Sequence, residues 1–90
     1  MSVDEAIAEL KNAGGNYRCS RLVRVLESLG FIVDPCKVQH HKKYKHPGIP
    51  GFTGANFSCQ HGKTPNVKPG YVNRVRKVIE NWKDELEELS

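Results

Sequence analysis

The spacing of apolar residues changes period twice along this chain, and those changes limit what it can fold into. Val3, Ala6, Ile7 and Leu10 recur at i, i+3, i+4 and i+7, as do Leu22, Val25, Leu26 and Leu29. One face of an amphipathic helix requires that stripe. Between Lys37 and Lys45 the period falls to two. The odd positions Lys37, Gln39, His41, Lys43 and Lys45 are all polar, while Val38 and Tyr44 fall on the even ones. Alternate side chains of a strand share a face, so this spacing predicts a strand with His41, Lys43 and Lys45 on its open side and His40 nearer the covered side. Helical spacing returns with Val72, Val75, Ile79, Trp82 and Leu86.

Local signals set the boundaries. Ser2 with Glu5 three residues on forms a capping-box pattern, and Gly14-Gly15 stops the first helix near Ala13. Ser20 reads as the second N-cap, with Gly30 as the glycine that ends that helix. Strands are predicted over 31–34, 39–45 and 56–60, separated by Pro35 and by a 47–54 segment rich in Gly and Pro that reads as a mobile loop. One final helix begins after Pro69 or Gly70, and its acidic end, from Asp84 to Glu88, opposes the helix dipole and predicts fraying. The fold class implied is α+β, with helices covering one face of a three-stranded antiparallel sheet. Residues 1–18 read as an N-terminal helical extension and 19–90 as a single domain.

Charge is distributed unevenly. From Pro35 to Ile79 the chain carries nine bases and no carboxylate, whereas the rest holds five bases and ten acids. Solubility alone favours mixed signs, so 45 residues without an acid point to an anionic partner, and phosphates of nucleic acid fit. No run of apolar residues is long enough to span a bilayer, and the N-terminus opens with acids instead of a basic, apolar leader. Three cysteines without a CxxC argue against a disulfide framework, so Cys19, Cys36 and Cys59 are expected as small buried side chains in a reducing, cytoplasmic setting. Zinc would need Cys36, His40, Cys59 and His61 together, and their spacing lacks the usual paired-ligand pattern. No metal or cofactor is expected.

Four histidines, His40, His41, His46 and His61, lie inside the basic segment. An imidazole on a basic sheet face can take a proton from an RNA 2′-hydroxyl while lysines hold the phosphate. The same imidazole can also be a solvated member of a phosphate-binding surface.

His41-Lys42-Lys43-Tyr44-Lys45-His46-Pro47 resembles the HicA-family toxins, whose pattern is a Gly-Ser-His followed by an aromatic and a His-Pro at this spacing. His61-Gly62-Lys63 and Val67-Lys68-Pro69-Gly70-Tyr71-Val72 are similar to that family's exit from the third strand and its Pro-Gly helix start. Leu22 to Phe31 resembles its first helix. Gln39-His40 stands where the family has Gly-Ser, and residues 1–18 add a helix that shorter relatives lack. The resemblance implies a double-stranded-RNA-binding-domain-like (dsRBD-like) fold and a metal-independent endoribonuclease that cleaves messenger RNA. It also implies a HicB-type antitoxin as protein partner, and it marks His41 as the catalytic residue. Lys37, Lys43, Lys45 and Lys63 are the candidate RNA contacts. A dsRBD-like module that binds RNA without cutting it, or a basic face serving only an acidic protein, would show the same charge pattern.

Overall fold

A computed structural model describes residues 1–35 and 40–89. Its elements, in chain order, are helix α1 (Val3–Lys11), a 3-10 turn (Gly14–Asn16), helix α2 (Cys19–Ser28), strands β1 (Ile32–Pro35), β2 (His41–Lys45) and β3 (Ala55–Ser58), and helices α3 (Pro69–Asn81) and α4 (Lys83–Leu89). The three strands form an antiparallel sheet in the order β1-β2-β3. The α+β class is as the periodicity implies. Among the described residues no helix is long and apolar enough to cross a membrane.

Register follows from burial. Tyr44 lies opposite Val33 and Ala55, and Lys42 opposite Phe57, with Tyr44 and Phe57 essentially fully buried. Directly paired residues share a face, so this side meets the helices. Phe31, Phe52 and Phe57 surround Tyr44 with ring centroids 5.7, 5.8 and 6.0 Å away. Burial pushes the Tyr44 phenol up to about 12, so it stays neutral at physiological pH.

α1 begins with the complete capping box: Glu5 N–H donates to Ser2 Oγ, and Ser2 N–H to the Glu5 carboxylate. The helix packs on α3 and α4, and its Val3 and Leu10 enter the same core cluster as Leu22, Tyr44 and Val75. It is fastened to α2 as well. Arg21 grips Glu9 with two hydrogen bonds, at 2.6 and 2.7 Å, and the Tyr17 hydroxyl donates to the same carboxylate. The Arg21 guanidinium holds the Glu9 carboxyl below the usual glutamate value of 4.5.

Helix α2 ends as expected. Gly30, at φ 91°, sends its N–H to Glu27 O, and Phe31 N–H returns to Leu26 O, the two bonds of a Schellman motif. Its start is different. Ser20 is not the N-cap: Arg18 takes that place, and Cys19 already lies in the helix. Tertiary contacts override the local signal, because Val67 N–H bonds Tyr17 O and Cys19 N–H bonds Pro65 O, delivering the chain into α2 two residues early.

Three further expectations are corrected. Cys19 and Cys59 are not separate apolar fillers but form a disulfide, with Cα atoms 5.8 Å apart across 40 residues of sequence. The Gly- and Pro-rich segment is pinned down, since Ile49 is buried and Phe52 meets the rings of Phe31, Tyr44 and Trp82. The last helix is two. The chain bends at Trp82, whose N–H closes α3 on Val78 O while its carbonyl receives Leu86 N–H. That bend sets the Trp82 ring beside Phe52 and against the core, and α4 runs on to Leu89.

Tyr44→Ala should cost about 3 kcal/mol or more in urea unfolding, whereas Lys43→Ala should stay within about 0.5 kcal/mol. Equal costs at the two positions would contradict this register. A second expectation concerns acid. Because the folded Glu9 carboxyl titrates below its unfolded value, its stabilisation is present above about pH 4.5 and is lost as pH falls through the lower folded value. Thermal melts from pH 6 to 3 should show a shallower loss in Glu9→Gln than in the parent.

Candidate functional site

The register that buries Tyr44 turns His41, Lys43 and Lys45 to the opposite face of β2. Side chains two apart on a strand lie roughly 6.5 Å apart, so they form one row. Their cross-strand partners are Ser58 for His41, Asp34 and Asn56 for Lys43, and Ile32 for Lys45. Lys43 and Lys45 are exposed and His41 is half-buried.

The His41 ring meets one hydroxyl. Ser58 Oγ lies 3.1 Å from both Nδ1 and Nε2, and it can serve one nitrogen at a time. Both residues line an open cleft of about 490 Å³, whose walls also carry His61, Lys68 and Tyr71. Tyr71 lies in the first turn of α3, and the Arg74 guanidinium lies 5.6 Å from its ring centroid. Imidazole, hydroxyl, ammonium and phenol thus converge from β2, β3, the following turn and the start of α3. These groups can move protons and hold an anion together.

The other histidines have different surroundings. His40 is not under the helices: β2 begins at His41, and His40 leaves the strand with φ 69°, its ring 3.9 Å from that of His61. Its carbonyl takes the Cys59 N–H at 2.8 Å. His46 is structural. Its Nδ1 accepts the Gly48 N–H, which leaves Nε2–H to donate to Leu29 O, both at 3.0 Å, and the ring sits edge-on to Phe31. It also covers Gly30 so closely that a Cβ there would come within 2.8 Å of Nε2.

Of the candidate RNA contacts, Lys43 and Lys45 share the His41 face. Lys37 lies outside the described residues, as do Gln39 and Cys36. Lys63 stands elsewhere, in a separate groove with Arg18, Arg24 and Lys42. Ser58, Lys68 and Tyr71 were not singled out from the sequence. Ser58 becomes visible once His41 is paired across the β2–β3 hairpin, but Lys68 and Tyr71 depend on how α3 approaches the sheet, which no local pattern records. Among the described residues no group of three or more metal-ligating side chains comes together. No known protein family, curated protein or solved structure matches the chain.

Stability should separate the histidines. His46→Ala removes two backbone partners and a ring contact and should cost about 2–3 kcal/mol, while His41→Ala should stay within about 0.5 kcal/mol. Urea denaturation of the two variants checks this directly.

Proposed function

We propose that this protein is a toxin-like endoribonuclease of the HicA kind, built on a dsRBD-like fold and cleaving messenger RNA through His41 without a metal. The observation that carries the reading is the half-buried His41 imidazole, in an open cleft with Ser58 beside it and Lys43 and Lys45 in line along the same face. His41 takes the proton of a 2′-hydroxyl, and O2′ then bonds to the adjacent phosphorus as the bond to the 5′ oxygen breaks. The leaving oxygen needs a proton, and the cleft offers His61 and Lys68 as donors. Ammonium groups along β2 offset the charge that develops on the phosphoryl oxygens.

An acidic, HicB-type antitoxin lying over the open sheet face would neutralise the enzyme by covering His41. The basic row on β2 supports that polarity of partner. Messenger RNA as substrate puts the site of action in the cytoplasm.

In excess chelator the purified protein should cut single-stranded RNA. His41→Ala should lower the rate by roughly 10² to 10⁴ with RNA affinity nearly unchanged. If parent and variant cut equally well, the histidine mechanism is wrong. RNA affinity should also fall steeply with salt, with a log-log slope of roughly −3 for about four neutralised phosphates. An affinity flat across that range would remove nucleic acid as the partner.

A further inference from the structure

A second basic groove opens on the other side of the Cys19–Cys59 disulfide from His41. Cys59 lines the His41 cleft and Cys19 lines the groove, so the disulfide is the partition between them. The turn that follows β3 divides them too, with His61 on the cleft side and Lys63 on the groove side. The groove measures about 520 Å³. Arg18 and Arg24 reach it from α2, Lys42 from β2 and Lys63 from the turn, while Val23 and Pro65 supply apolar wall.

Its charge is mostly uncompensated. Glu27 is the single carboxylate lining the groove, against four cations. Arg21, Arg76 and Lys83 each have a carboxylate partner, in Glu9, Glu80 and Asp4. Among the described residues no such pair includes Arg18, Arg24, Lys42 or Lys63. Lys42 is also half-buried, so part of its hydration is lost, and among the described residues no hydrogen bond or ion pair replaces it. Four cations around one concavity repel one another unless an anion enters.

We propose that this groove is a second phosphate-binding subsite for the same RNA strand, holding backbone phosphates away from the scissile bond. A strand leaving the His41 cleft crosses the 61–65 turn and meets the four cations, while Val23 and Pro65 offer a surface to a sugar or base. The inference rests on the ribonuclease reading and adds to it a reason for a longer substrate. It also gives Lys63 a role away from the open sheet face.

The test uses the full chain carrying His41→Ala, so that RNA is bound but not cut, with two labelled probes: a dinucleotide, and a single strand of about 12 nucleotides. The long strand should bind at least tenfold more tightly. Adding Arg18→Gln and Arg24→Gln should remove most of that advantage and reduce the salt slope by roughly one per lost phosphate contact, with dinucleotide affinity unchanged. A thermal melt confirms that the variant is folded. If the altered protein binds the long strand as tightly as before, the groove is not an RNA subsite, although the ribonuclease reading stands. If those substitutions weaken only the hold on an acidic partner protein, the groove is a protein-docking surface and the inference is overturned. If the His41-bearing parent neither binds nor cuts either RNA, the ribonuclease reading fails and the inference fails with it.

Discussion

Burial of Tyr44 decides which way β2 faces. A strand has two sides, and a shift of one residue exchanges them. With the Tyr44 ring held among Phe31, Phe52 and Phe57, the alternate register would put Lys43 or Lys45 into an aromatic pocket and leave Tyr44 in water. Neither exchange is tolerable, since an unpaired buried ammonium costs several kcal/mol and the lost aromatic burial about 2–3 more. The position of His41 on the outer face is therefore a consequence of core packing three residues away. Ser58 follows from the same constraint, because once Tyr44 pairs with Ala55, His41 must stand opposite Ser58.

Around that strand the chain uses different fasteners on different sides. Rings hold the 47–54 segment: Phe52 joins β2, the residue before β1 and Trp82 in one aromatic cluster. A carboxylate holds α1 to α2, where Glu9 takes donors from both Tyr17 and Arg21. Burial and the Glu9 contact push the Tyr17 phenol upward, so it stays protonated and donates at physiological pH. The Cys19–Cys59 bridge ties the first turn of α2 to the residue after β3. This side also carries backbone bonds from Val67 to Tyr17 and from Cys19 to Pro65, so the disulfide reinforces a junction the main chain already makes.

What could be read from the sequence was what repeats or what terminates. Period two over β2 gave the faces of His41, Lys43 and Lys45, and the leucine stripe with Gly30 gave α2 and its end. Pairings between distant segments leave no such trace. Cys19 and Cys59 are 40 residues apart and belong to no motif, so only the folded chain shows them together. The bend at Trp82 is hidden for a related reason. The apolar stripe runs on unbroken through Leu86, and nothing local reveals that the ring is needed beside Phe52. Lys63 reads as one more base in a basic run because a turn has no periodicity to show its side. His40 was misplaced by extending the alternation one residue past the point where positive φ ends the strand.

The uneven charge of the chain has a structural meaning as well as a functional one. Glu9, Asp4 and Glu80 are spent on helices, pairing with Arg21, Lys83 and Arg76, where they join α1 to its neighbours and support α3 internally. The sheet and the turn after β3 receive almost no acid, and Asp34, opposite Lys43, is the exception on the open face. Cations that stabilise the fold are thus separated from cations that, among the described residues, form no ion pair, and the second set borders both the His41 face and the groove behind the disulfide. Such a separation costs self-repulsion in the free protein. An anionic ligand that spans the 61–65 turn would relieve it on both sides at once, which a small anion confined to either cleft could not do.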